Sequence, residues 1–277
     1  MAVTFHKMHG LGNDFVLLDL RDQNFNINTE TARHMASRHT GIGCDQIIVL
    51  RQPVDQQHLA SFEFWNADGS RAEQCGNGVR SLGYYLKRRG ETPDGSFLLG
   101  GPTGVVRIEC LDDGQVRVDM GEPEFAAEKV PVTLDSVDGW YPLKIDGHEF
   151  KLGAASMGNP HALLMVDDID HTDVAGLGAL IGSHPAFPEG CNVGFAQVIR
   201  RDNIRLRVFE RGGVGETSAC GSGSCAAVSI LRKHDMVSKT VRVTQAGGSL
   251  IINWWGRGRP VIMTGPATYV FKGKFDE

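Results

Sequence analysis

The chain has 277 residues, of which 41% are hydrophobic and 22% charged, a composition suited to one large globular domain or two of ordinary size. Its net charge of −5, without a basic block or an acidic tail, argues against nucleic acid as a partner. The opening MAVTFHKMHGLGNDF has no apolar run of signal-peptide type, and no stretch reaches the length of a bilayer span, so a cytoplasmic protein without a membrane partner is expected.

In chain order, FVLLDL (15–20), QIIVL (46–50) and SFEFW (61–65) are β-branched and aromatic runs that predict strands. The period then changes. Val79, Leu82 and Leu86 share one helical face, and Lys87, Arg88 and Arg89 before Gly90 are helix stop signals. VVRIEC (105–110) and VRVDM (116–120) predict a hairpin across DDGQ. A second set follows: ALLMV (162–166), VGFAQVI (193–199), a turn at RDN (201–203), and IRLRVF (204–209). Ala227, Ile230 and Leu231 then share a helical face that ends in Arg232-Lys233-His234, before the strands VRVT (241–244) and LIINWW (250–255).

The two sets are one pattern written twice. Gly-Asn recurs at Asn13 and Asn159, Gly-Cys at Cys44 and Cys191, and Cys-Gly-x-Gly at Cys75 and Cys220. The ends of FEFWN and LRVFE place Asn66 opposite Glu210, and Gly104 and Gly121 fall opposite Gly248 and Gly265. Six matches in one order, at offsets of 144 to 147, define two homologous halves, about 13–121 and 159–265, joined by a strand-rich segment. Each half reads as strands around one helix, with Cys75 or Cys220 at that helix's N-terminus.

A helix N-terminus carries unpaired N–H groups and partial positive charge, which lowers the pKa of a thiol and can hold a carboxylate. The glycines at 76, 78, 221 and 223 are expected to clear the approach to those amides. Placed face to face, the halves would aim two sulfurs at one cleft. A thiolate could then remove a proton from one face of a carbon while a thiol delivers one to the other, which inverts the centre without metal or cofactor. Like-charge coupling would keep one sulfur ionised and one protonated.

The remaining features carry less chemistry. No pair of cysteines has Cys-x-x-Cys spacing, so neither a zinc site nor a typical redox pair is indicated. Cys110 and Cys225 read as packing residues, the latter opposite Arg80, and Cys44 and Cys191 are assigned no role. GGVGET (212–217) lacks the Lys-Ser/Thr ending of a phosphate loop. His161, close to Asn159, and the pair Glu210-Arg211, aligned with Asn66, are candidate site residues. Two other readings use the same residues: a racemase or isomerase of another amino acid, and a thiol redox or sensing protein.

KMHGLGNDF, TGIGCDQ, FWNADGSRAEQCGNG, SMGNPHA, CNVGF, ERGGVGETSACGSGSCAA and GPATYVF together resemble the diaminopimelate epimerase family nearly end to end. The resemblance implies a cofactor-independent epimerase that interconverts LL- and meso-2,6-diaminopimelate on the route to lysine and peptidoglycan. The implied acid/base pair is Cys75 and Cys220. Gly76, Asn77, Gly221 and Ser222 are implied to hold the reacting centre. Asn13, Gln46, Asn66, Asn159, Asn192, Glu210 and Arg211 are implied to hold the substrate, with His161 and Glu210 tuning the cysteines. No metal is implied. The family fold is α/β (α+β): two pseudo-symmetric domains, each a curved, mainly antiparallel sheet or barrel around a central helix, usually in a homodimer. It implies a domain of residues 1–120 completed by a last strand at about 265–277, a second domain of 121–264, and an active site in the cleft between them. One departure stands out. Asn66 precedes Cys75 by 9 positions but Glu210 precedes Cys220 by 10, because GGVGET holds a glycine more than the family's usual pattern. That extra residue falls in the loop between Glu210-Arg211 and Cys220, which must either bulge to absorb it or shift Cys220.

Overall fold

The computed structural model describes residues 2–73 and 75–276; Gln74, inside the first cysteine motif, lies outside them. Its packing divides the chain into two compact units, Met1–Asp119 with Gly265–Glu277, and Met120–Thr264.

In the first unit, β1 (Ala2–Gly10) and β2 (Asn13–Asp19) form a hairpin in which Gly10 faces Asn13. The two turn residues, Leu11 (φ 56°) and Gly12 (φ 88°), both take positive φ, the twist that suits a two-residue hairpin. Leucine in that region costs about 1–2 kcal/mol, and burial of the Leu11 side chain offsets it. Helix α1 (Thr29–Ala36) follows, capped by the Asn28 side chain, and leads into β3 (Gln46–Arg51), which runs parallel to β2. β4 (Ala60–Asn66) lies antiparallel to β3, and the short β5 (Arg71–Ala72) folds back on its end. After α2 (Gly76–Arg88), β6 (Ser96–Gly101) returns parallel to the start of β4 and continues antiparallel into β7 (Gly104–Cys110) and β8 (Val116–Asp119).

The second unit opens with β9 (Tyr141–Ile145), antiparallel to β10 (His148–Ser156). From β10 onward the first unit's plan is repeated. β11 (Pro160–Met165), α3 (Val174–Gly182), β12 (Asn192–Arg200), β13 (Asn203–Glu210), β14 (Gly215–Thr217), α4 (Gly221–Lys233), β15 (Thr240–Gln245), β16 (Gly248–Asn253) and β17 (Ile262–Gly265) follow in order. The parallel pairings recur at the same places, β11 with β12 and β13 with β15, among otherwise antiparallel ones. The last strand, β18 (Thr268–Asp276), pairs antiparallel with β1 and so belongs to the first unit. The fold is mixed α/β, and the duplication read in the sequence is a duplication of strand pairing.

Each unit holds a second helix, α1 or α3, that the hydrophobic pattern does not announce. α1 is only eight residues long, and α3 carries three glycines in nine residues. Their effect is visible on β3. Ile47 and Val49 pack with Met35 of α1, while Ile48 lies beside Gly78 of α2. A strand covered by a helix on both faces has no polar side to show, which is why QIIVL reads as one apolar run.

Gly78 and Gly223 set how closely α2 and α4 approach the sheet. A Cβ on Gly78 would sit 2.5 Å from the buried Phe64 ring, and one on Gly223 would sit 3.1 Å from Val208. Phe64 and Val208 hold equivalent places on β4 and β13. Helix–strand packing, rather than an open path for substrate, is the reason for these two glycines. Gly78→Ala is therefore expected to destabilise by about 1–3 kcal/mol through overpacking, in spite of the ~1 kcal/mol helix-propensity gain over glycine. Gly223→Ala should cost less; urea unfolding midpoints of the two variants check the order.

Candidate active site

Cys75 and Cys220 are the N-caps of the two 13-residue helices α2 and α4. Both backbones are extended there (φ −143°, ψ 104° and φ −116°, ψ 114°). Each sulfur accepts the N–H of the third helical residue, Gly78 or Gly223, at 3.4 Å. Gly76-Asn77 and Gly221-Ser222 form the first turns, where backbone N–H groups lack intrahelical partners.

In the first unit, three predicted residues converge. Asn13 Oδ1 accepts from Cys75 Sγ at 3.6 Å and from Asn77 Nδ2 at 3.2 Å. Asn13 is the first residue after the tight β1–β2 turn, so its place is fixed by the hairpin. Its Nδ2 donates to Asp45 Oδ2 at 3.1 Å. Gln46 and Asn66 face each other across β3 and β4, and Gln46 Nε2 donates to Asn66 Oδ1 at 2.9 Å. Behind them, burial raises the Asp14 carboxyl, but its bonds to Arg38 and Lys7 outweigh that and hold it well below the usual range.

In the second unit, Cys220 Sγ lies 3.6 Å from Ser222 Oγ. His161 and Asn192 are partners across β11 and β12. His161 Nε2 meets Asn159 Oδ1 at 3.0 Å, and Asn192 Oδ1 accepts the Arg211 N–H at 2.9 Å. Arg211 also donates through Nη1 to the Glu189 carbonyl at 2.9 Å. Glu210 accepts from Thr217 Oγ1 at 2.7 Å. Burial, with the nearby Arg211 charge adding to it, pushes His161 down to about 3. His161 is thus a neutral imidazole whose Nε2–H donates to Asn159.

Two residues of this framework escaped the sequence reading. Asp45 fixes Asn13. Gln245, buried at the end of β15, accepts the Cys220 N–H at 2.8 Å and donates to Ser224 Oγ, which in turn bonds the Cys220 carbonyl at 2.9 Å. A signal was present: strand alternation puts Gln245 on the same face as Val241 and Val243, a polar residue at a core position.

The other thiols are set apart from these. Burial raises Cys44 and Cys191 to about 12 and Cys110 to about 11, and Cys225 is fully buried in α4. None of the six cysteines is in a disulfide. A groove of about 600 Å³ opens beside β4, lined by Phe62, Glu63, Arg71 and Val105 among others, but no predicted site residue lines it.

The extra glycine is confined to a turn. Phe64 pairs with Ala72 and Val208 with Thr217, and each cysteine follows three residues later. Between β13 and β14 the chain spans four residues, Arg211 to Val214, with Gly212 and Gly213 both at positive φ (75° and 82°). The strand leading to Cys220 keeps the register of its counterpart, so the turn absorbs the added residue.

The fold is shared with a hydroxyproline epimerase from Agrobacterium vitis (TM-score 0.73, 17% identity, 99% of this chain and 92% of that one). It is also shared with a PhzF-family phenazine biosynthesis protein from Bacillus anthracis (TM-score 0.70, 14% identity, both chains covered fully). At the level of sequence, the chain is 46% identical over 279 residues to the diaminopimelate epimerase of Thioalkalivibrio sulfidiphilus (strain HL-EbGR7), with all of both chains covered. Together these define an isomerase of the epimerase class. The family model described as diaminopimelate epimerase matches residues 5–126 and 153–270, and the chain belongs to that family.

The neutral state of His161 has a measurable consequence. An unfolded histidine titrates near 6.5, whereas folded His161 titrates at about 3. Between those values the unfolded chain takes up a proton that the folded chain refuses, so this contribution to stability is intact above pH 6.5 and is lost as pH falls. His161 ring NMR signals are expected to stay unshifted from pH 8 to 5, and His161→Gln should lose less stability than the native chain over that interval.

Proposed function

We propose that the chain interconverts LL-2,6-diaminopimelate and meso-2,6-diaminopimelate, with Cys75 and Cys220 as the two acid/base groups at one α-carbon. The observation that carries this reading is the repeated Cys N-cap: two sulfurs, each on a helix N-terminus with the same geometry, in two units of the same plan. One cysteine, as thiolate, takes the α-proton and becomes a thiol. The electron pair passes into the carboxylate, and the other cysteine, as thiol, returns its proton to the opposite face and becomes a thiolate. Charge and protons balance, and the product leaves with the two sulfurs' states exchanged.

The developing charge on the α-carboxylate would be met by first-turn N–H groups of α2 and α4, beginning at Gly76-Asn77 and Gly221-Ser222. Asn13, Gln46, Asn66, Asn159, Asn192 and Glu210 supply polar groups for the distal amino-acid end, and Arg211 supplies a planar cation for its carboxylate. Neutral His161 would orient Asn159 rather than act as a cation. The reading requires both units to reach one substrate. It carries with it a cytoplasmic homodimer that needs neither cofactor nor metal. No helix among the described residues is long and apolar enough to cross a membrane.

The test is exchange of the substrate α-hydrogen in deuterated water without added cofactor. Exchange and epimerisation are expected for the native chain, and Cys75→Ala or Cys220→Ala should each lower kcat/KM by roughly 10²–10⁴-fold. The pH profile should be a bell, rising as the base sulfur loses its proton and falling as the acid sulfur does. Turnover of trans-4-hydroxyproline in place of diaminopimelate would overturn the substrate, and full activity in either alanine variant would overturn the mechanism.

A further inference from the structure

The repeat aligns Arg80 with Cys225, so one unit has a cation where the other has a small apolar residue. Arg80 is among the largest fully buried side chains of the molecule. A buried guanidinium is costly unless its donors are engaged. Its Nη2 donates to Asn77 Oδ1 at 2.8 Å and its Nε to the Pro266 carbonyl at 3.3 Å. Gly10 leaves room for the group, since a Cβ there would lie 3.2 Å from Arg80 Nη2.

From Arg80 a chain of amides leads to Cys75, and its polarity is fixed at both ends. Arginine only donates, so Asn77 must turn its oxygen to Arg80 and its Nδ2 to Asn13. At the far end Asp45 accepts from Asn13 Nδ2 at 3.1 Å while paired with Arg38 at 2.7 Å. Both constraints independently turn Asn13 Oδ1 toward Cys75 Sγ, 3.6 Å away. An amide oxygen accepts an S–H but repels a thiolate. The second unit is built otherwise. Asn159, the counterpart of Asn13, engages His161, and Cys220 Sγ has the Ser222 hydroxyl at 3.6 Å, a group able to donate to a thiolate. Charged groups toward the Cys75 end include Asp14, paired with Lys7 and Arg38, and Glu73, which is exposed.

We propose that Arg80 is a positioning residue that acts through Asn77 and Asn13 to keep Cys75 as the thiol of the resting protein, leaving Cys220 as the thiolate. The assignment deepens the two-cysteine reading above, but its test needs no substrate. Iodoacetamide alkylates thiolates, and peptide mass spectrometry gives the rate at each cysteine against pH. Normalising each rate to its own plateau removes differences in exposure. The midpoint for Cys220 is expected below that for Cys75. Arg80→Met, which keeps bulk but loses the donors, should lower the Cys75 midpoint and raise its thiolate fraction near neutrality by about tenfold, one pH unit's worth. Arg80→Lys should restore the native midpoint. A purely through-space effect of the guanidinium has the opposite sign, because losing a cation would raise the Cys75 midpoint. A native Cys75 midpoint at or below that of Cys220 overturns the assignment even if Arg80→Met does not fold. A raised or unchanged Cys75 midpoint in folded Arg80→Met overturns the role of Arg80. Failure of the diaminopimelate reading would appear only in the α-hydrogen exchange experiment.

Discussion

One contact, made twice, organises both units: a cysteine sulfur accepting the N–H of the third residue of a helix. To make it, the backbone at the cysteine must be extended and the helix must start at the next residue. The helix must also lie close enough to the preceding hairpin for a short link to span the gap. Gly78 and Gly223 provide that closeness by letting the helix rest on Phe64 and Val208. The hairpins β4–β5 and β13–β14 then hand over the chain three residues before each cysteine. Strand pairing, helix packing and cap geometry are therefore a single constraint, and it is the part of the ancestral unit that both copies retain.

What the copies do not retain is chemistry. Glu63 pairs with Arg71 across the first hairpin, while Arg207 pairs with Glu216 across the second at 2.6 Å, the same bridge with its charges exchanged. Such pairs at the surface contribute little, about 0–1 kcal/mol, so either sign serves the hairpin. The residues beside the sulfurs diverge with more effect. Asn77 stands opposite Ser222, Asn66 opposite Glu210, and Arg80 opposite Cys225. The proposed two-base reaction needs two groups in unlike protonation states, and a duplicated frame supplies like positions. In that reading the difference must come from substitutions within the frame, and these positions supply them.

The sequence made the frame legible because the frame is periodic. Cys-Gly-x-Gly before a 3.6-residue apolar pattern, twice at one offset, can be read without coordinates, and the strands between follow from β-branched runs. The helices α1 and α3 could not be read this way. Eight residues form too short a window for periodicity, and glycines in α3 blur its pattern. Arg80 is hidden for another reason: the sequence marks it only as the counterpart of Cys225, and it is the amide chain through Asn77 to Asn13 that links the buried charge to Cys75. Asp45 escaped because its contact with Asn13 joins residues 32 positions apart. Gly78 and Gly223 stand out in the motif, but what requires them is tight contact with the strand residues Phe64 and Val208, which the motif does not name.

The extra glycine shows how strictly the cap constraint is enforced. A one-residue insertion inside β14 would send alternate side chains to the wrong face and carry Cys220 off its helix. Absorbed in the turn, it costs the sheet nothing, provided the added backbone can take positive φ. Gly212 and Gly213 both do, and a Cβ at either would meet no atom within 4 Å, so conformation and not crowding demands glycine there. The longer turn also has its own task. Glu210 and Arg211 leave the strand with the Arg211 N–H bound by Asn192 and its guanidinium by the Glu189 carbonyl, and the glycines close the loop behind them. The first hairpin carries Asn66 at this point and closes more tightly, with Asn66 N–H bound to the Ser70 carbonyl at 2.9 Å. The added turn residue leaves both cysteines with the same cap, while just before it Glu210 and Arg211 stand where the other unit has Asn66 and Ala67.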